Sequence, residues 1–171
     1  MTDAVMQSDM TAPAFEKRDD IGRLVSVTWY GPGAGNDAGG PRWLVAIDGS
    51  EFSHRAVAMV AALAALEQGA EIDLVHIHPW LNKEAAETEL PRRGWAATAQ
   101  ARQMVDAAKA RWRLHVVMGE AASGISQTAD LLSSRCIAIG SRGQTATASL
   151  LLGSVAYKVV HSAKLPVLIV R

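Results

Sequence analysis

The sequence predicts an α/β protein: a doubly wound, five-stranded parallel sheet with helices on both faces, a Rossmann-like layout. Three observations carry that prediction. Strand-like apolar runs alternate with helix-like runs from residue 43 to 171. The runs "WLVAID" and "CIAIG" are apolar at nearly every position, as in strands covered on both faces. Glycines follow one of these runs directly, in "GSRGQTATASLLLGS" at 140–154, and ligands of such sheets bind beyond the strand tips.

Taken in order, residues 1 to about 20 are polar and mixed in charge, and "GPGAGNDAGGP" at 31–41 is rich in chain breakers. Residues 1–41 therefore read as an N-terminal extension with a glycine-rich linker, partly disordered, and 42–171 as the folded domain. Within the extension, "GRLVSVTWY" has the composition of one short strand. "WLVAID" (43–48) opens the domain, and a helix over 53–68 ends at Gly69, which suits a left-handed cap.

"EIDLVHIH" is the second strand of the domain. The polar stretch from Trp80 to Trp95 holds Pro91 and Gly94 and reads as a loop with some helix, before a firmer helix over 97–109. The strand "RLHVVMG" (113–119), a helix in "GISQTADLLSS" and the strand "CIAIG" (136–140) come next. The helix "ASLLLGSVAYKVVHSA" and the strand "PVLIVR" (166–171) close the pattern, with Pro166 placed where no ladder donor is yet required.

A chain of 171 residues is long enough for one domain with a substantial core. Seventeen basic and seventeen acidic residues cancel, so no overall field draws the chain to nucleic acid or to an anionic membrane. The tryptophans are scattered without basic stripes and build no base-stacking platform. The longest apolar run, "AVAMVAALAAL", is too short to span a bilayer, and no apolar stretch follows a basic start. The expected location is the cytoplasm, where the single Cys136 is a reduced core residue.

Three segments converge at the strand tips of such a sheet: "DGS" (48–50), "HIHP" (76–79) and "GSRG" (140–143). The glycine spacing fits neither GxxxxGK[ST] nor GxGxxG. Gly140 and Gly143 permit positive φ and close approach of a ligand. Gly153 and Ser154 stand at the start of the last helix, whose free amides favour an anion. With no lysine in the loop, amides, hydroxyls and a divalent ion such as Mg²⁺ would neutralise a phosphate chain.

Other polar residues have competing readings. Asp48 either contacts a ligand or caps the next helix, and Arg142 either pairs with phosphate or stands solvated in the loop. Ser50 and Ser53 read as helix caps, since "DGSEFS" lacks the nucleophile pattern GxSxG. His76 and His78 share a strand face but lack a third ligand, so no metal site is assigned; His54, His115 and His161 are isolated and read as surface or structural.

"GSRGQTATASLLLGS" also fits Gly-x2-Gly-x9-Gly-Ser, and here the chain resembles the universal stress protein family. "VAIDGSEFSHRA" is similar to the family's first strand and turn, "LVHIH" to its second strand, and "GSVAYKVVHSAKLPVLIVR" to its closing helix and strand. The likeness covers about residues 42–171; the irregular middle loop, Arg135 in place of an acidic residue, and the leader depart from the pattern.

The resemblance implies strand order 3-2-1-4-5, ATP binding, and a homodimer paired through the last strand. Carried over by position, Asp48 next to Ile47 would contact ribose or adenine, Ile77 would pack on the base, and Ile139 and Gly140 would line the nucleoside. Gly143, Gly153, Ser154, Val155 and Ala156 would contact phosphates, with Arg142 beside them in the loop. The implied function is an ATP-binding stress-response regulator that acts through nucleotide-dependent conformation or partner binding. The alternatives are a nucleotide-independent scaffold and a slow ATP hydrolase. No catalytic residue is nominated, because the loop offers no lysine and nothing identifies a group that positions water.

Overall fold

A computed structural model of the chain describes residues 10–35, 39–144 and 152–171. Its elements run β1 (Phe15–Arg18), β2 (Leu24–Tyr30), β3 (Arg42–Ala46), α1 (Glu51–Ala64), β4 (Glu71–His78), α2 (Lys83–Ala97), α3 (Ala99–Ala107), β5 (Arg111–Met118), α4 (Ala121–Leu131), β6 (Cys136–Gly140), α5 (Ser154–Ser162) and β7 (Val167–Val170). One sheet takes all seven strands in the order β1-β2-β5-β4-β3-β6-β7.

The expectation of a five-stranded parallel sheet is thereby corrected: the sheet is seven-stranded and mixed. Strands β3 to β7 pair in parallel, while β1 pairs with β2 and β2 with β5 in antiparallel fashion. The two added strands come from the leader. β2 covers the outer edge of β5, satisfying its ladder groups, and inserts Val27 and Trp29, both fully buried, into the core. The glycine tract is tied to the same strand, because Arg111 Nε donates to Gly33 O (2.8 Å) and Arg113 Nη1 to Gly35 O (3.2 Å).

Two apolar cores flank the sheet. One includes Trp29, Val45, Ile72, Leu74 and Leu114 with α1, α2 and α3 residues such as Val57, Leu90 and Val105; the other joins Leu44, Val75, Ile137 and Ile139 to Ile125 of α4 and Val159 of α5. Of the tryptophans, Trp29, Trp43, Trp95 and Trp112 are buried and Trp80 is exposed. Cys136 is buried, and burial pushes its thiol pKa up.

Helix boundaries move for identifiable reasons. The segment read as a loop with some helix is regular α2, because Asn82 Oδ1 caps it by accepting Ala85 N–H (2.8 Å) and Leu90 and Trp95 are buried against the core. Gly94 serves close packing there: a Cβ would stand 2.4 Å from Val116 Cγ1. Helix α1 stops at Ala64, with Gly69 in the left-handed region (φ 75°) after an intervening turn. Helix α4 starts early at Ala121 because the Glu120 carboxylate accepts Ser123 N–H. Residues 148–151 of the last expected helix lie outside the described residues.

A buried ionic cluster occupies the opening residues of β3, β4 and β5. Asp73 accepts from Arg42 Nε and Arg113 Nε, each at 2.9 Å, and Glu71 pairs with Arg111 and Arg113 at 2.7 Å. His115 is not isolated, as the sequence suggested. Its Nε2 donates to Asp73 Oδ1 (2.9 Å), and its Nδ1 lies 3.2 Å from Thr28 Oγ1. Burial alone would raise the Asp73 pKa, but hydrogen bonds from His115 and Arg42 outweigh it and take the carboxyl down to about 2.

Candidate functional site

The site is built where β3 and β6 end side by side, with helices leaving to opposite faces of the sheet. At the β3 tip, Ile47 N donates to Val75 O (2.8 Å) and Ile47 O faces His76 Nδ1 at 2.9 Å. Burial pushes the His76 pKa down, so the neutral ring holds this carbonyl through Nδ1–H. Asp48 Oδ1 accepts Ser50 N–H (2.9 Å), and Gly49 turns the chain with φ 80°. Ser50 Oγ then caps α1 by accepting Ser53 N–H (3.1 Å), while Ser53 Oγ donates to Ser50 O (2.8 Å).

On the β6 side, the three motif glycines are needed for space. A Cβ on Gly140 would lie 2.7 Å from the Phe52 backbone, one on Gly143 2.8 Å from Asp48 Oδ2, and one on Gly153 3.3 Å from Arg142 Cα. Gly140 and Gly143 do not use the positive φ open to them; the described glycines with positive φ are 22, 33, 49, 69 and 119. Gly140 and Gly153 bring backbone close to backbone, and Gly143 lets the Asp48 carboxylate rest on the loop.

The long spacer between Gly143 and Gly153 brings the chain back to its point of departure. Ser141 N donates to Val170 O and Gly153 N donates to Ser141 O, both at 2.7 Å, so the loop's two ends are stitched to the last strand. Residues 145–151 of the loop lie outside the described residues. Gly153 is the N-cap of α5 and no side chain caps this end. The first-turn amides of Ser154, Val155 and Ala156 therefore lack intrahelical partners and present the positive end of the helix dipole.

These parts enclose one cavity of about 330 Å³. All eleven nominated residues line it: Ile47 and Asp48 from the β3 tip, Ile77 from β4, Ile139 and Gly140 from β6, Arg142 and Gly143 from the loop, and Gly153, Ser154, Val155 and Ala156 at the head of α5. Sequence reasoning missed Ala46, Ser53, Val75, Ala121, Ile125 and Gln144. Ala121 and Ile125 come from α4, and nothing in their local sequence marks them for a ligand. The apolar wall combines Val75, Ile77, Ile125 and Ile139; the polar wall combines the glycine backbone, the α5 amides, Asp48 and Arg142. The Arg142 guanidinium stands 5.8 Å from the Phe52 ring.

Among the described residues, no group of three or more His, Cys, Asp or Glu is placed to hold a metal ion. His76 and His78 are each engaged by a backbone carbonyl, that of Ile47 and that of Pro79. No described helix is long and apolar enough to cross a membrane.

An apolar slot beside an uncapped helix start lies at the carboxyl ends of parallel strands, where open α/β sheets bind their ligands. The universal stress protein family profile matches residues 41–171. The chain is 36% identical over 133 residues to a universal stress protein of Thermus aquaticus, covering 75% of this chain and 96% of that one. It is 33% identical over 138 residues to universal stress protein Rv2005c of Mycobacterium tuberculosis, covering 75% of this chain but only 44% of that relative. Among solved structures, the Archaeoglobus fulgidus universal stress protein in complex with dAMP superposes with TM-score 0.62 at 22% identity, over 79% of this chain and 100% of that one. A universal stress protein in complex with cAMP superposes with TM-score 0.57 at 26% identity, over 77% and 97%. The chain belongs to the universal stress protein family.

Proposed function

We propose that this protein binds an adenine nucleotide, ATP with Mg²⁺, in the cavity between β3 and β6, and that occupancy regulates its conformation or its contacts with a partner. The observation that carries the reading is the convergence of three uncapped α5 amides, a backbone-only glycine loop and an apolar slot on one space. The dAMP and cAMP complexes of family members support it.

In this reading Ile77 and Ile139 pack on the base, beside Ile47, and Asp48 receives a ribose hydroxyl at Oδ2, since Oδ1 already accepts Ser50 N–H. Gly140, Gly143, Gly153 and the amides of Ser154, Val155 and Ala156 take the phosphates, and Arg142 adds a positive charge. Mg²⁺ would ride chiefly on the phosphate oxygens, as Asp48 is the single carboxylate among the described residues that line the cavity. The role is regulatory binding and not catalysis, with a cytoplasmic homodimer paired through the exposed edge of β7.

Thermal unfolding with ATP and Mg²⁺, AMP, GTP and no ligand tests the reading, beside Gly153→Val. A ligand at a hundred times its Kd stabilises the native state by about 2.7 kcal/mol, a shift of a few degrees. The expected result is an ATP shift lost in the variant. No shift with any nucleotide would leave the nucleotide-independent scaffold as the better reading, and ADP release that vanishes in Gly153→Val would establish hydrolysis.

A further inference from the structure

The β3 tip is pinned by two side chains from different elements. His76 of β4 holds Ile47 O (2.9 Å), and Gln144, next to the motif's Gly143, donates Nε2–H to Asp48 O (2.6 Å). The peptide groups before and after the Asp48 Cα are thus both fixed, and Ser50 N–H occupies Oδ1. The remaining oxygen, Oδ2, is the one that lies against Gly143. Gly49 makes the contact possible: its φ is 80°, and a Cβ there would stand 2.9 Å from Gln144 Nε2.

We infer that Gln144 is a ligand-positioning residue, a latch that ties the phosphate side of the cavity to its nucleoside side and holds Asp48 aimed at the bound molecule. The inference rests on the adenine-nucleotide reading of the cavity. Gln144 lines that cavity and bonds across its rim, so its bond ties together the two walls that a bound nucleotide would touch. The effect is expected in the dissociation rate more than in the association rate, as for most substitutions that loosen the contacts of a binding site. A leucine keeps the bulk and loses the donor, whereas a lysine keeps a donor of similar reach.

Stopped-flow displacement of N-methylanthraniloyl-ATP by excess ATP tests the inference on the full chain. For Gln144→Leu the dissociation rate is expected to rise about fivefold, the size of one neutral hydrogen bond, with the association rate within about twofold of wild type. Gln144→Lys is expected to restore most of the wild-type rate. A dissociation rate in Gln144→Leu within about twofold of wild type overturns the inference. Binding by the wild-type protein tests the nucleotide reading separately. Hydrogen exchange at the Ser50 amide reads the latch in nucleotide-free protein, where Gln144→Leu is expected to exchange several-fold faster; an unchanged rate overturns the latch whether or not nucleotide binds.

Discussion

Asp48 and Gly143 meet across the two strand tips: a Cβ on Gly143 would stand 2.8 Å from Asp48 Oδ2. The carboxylate that closes one side of the cavity rests on the bare backbone that closes the other. A substitution at either residue is therefore felt by both.

Gly143→Ala is expected to fold and to lose nucleotide affinity by about tenfold, roughly 1.4 kcal/mol, because the new methyl displaces the Asp48 carboxylate. Gly153→Val meets the Arg142 backbone at 3.3 Å, which cannot swing away as a side chain can, and is expected to abolish binding. Titration calorimetry with ATP, beside circular dichroism to establish folding, checks both.

The described part of the leader that carries β1 and β2 belongs to the same folded body as the strands it borders. Trp29 of β2 is buried, stands 5.2 Å from Trp95 between ring centres, and donates Nε1–H to Thr11 O (2.9 Å). Trp29→Ala is expected to cost about 3–5 kcal/mol, measured by urea unfolding. A variant of wild-type stability would show β2 to be an ornament on the sheet.

Asp73 makes stability fall in acid. Its folded pKa, about 2, lies below the ordinary 3.8, so the ionised form is favoured by folding, by about 2 kcal/mol after conversion. That contribution is whole above the unfolded value and drains as pH drops from about 5 through 2. Asp73→Asn is expected to cost about 3 kcal/mol at neutral pH by leaving Arg42 and Arg113 short of a partner, and to flatten the acid limb. Denaturant midpoints at neutral and acid pH decide it.

Ser50→Ala removes the acceptor for Ser53 N–H at the head of α1 and is expected to cost about 1 kcal/mol. Since Ser50 N–H also holds Asp48 Oδ1, and that donor is backbone, the site geometry should survive. Wild-type nucleotide affinity with a lowered melting temperature is the expected pairing.

Local chemistry made much of this legible. The continuous apolar runs of β3 and β6 announce strands covered on both faces, and the glycine spacing places bare backbone against the helix that follows. Breakers misled in two places. Pro91 and Gly94 suggested a loop, yet Leu90 and Trp95 gain enough from burial to hold α2 together through both. The tract at 31–41 suggested a free linker, yet Arg111 and Arg113 reach Gly33 and Gly35.

By itself the sequence indicated the alternation of elements and the switch-point location of the site, because periodicity and glycine placement act within short stretches of chain, while the eleven nominated residues came from the family resemblance of those stretches and are among the residues that line the cavity. Tertiary structure alone decided that the leader adds two antiparallel strands, that α4 supplies Ala121 and Ile125, and that Gln144 bonds to Asp48. Those are contacts between residues far apart in the chain, and they are selected by the free edge of β5 and the free face of β4, which come into being only when the sheet assembles.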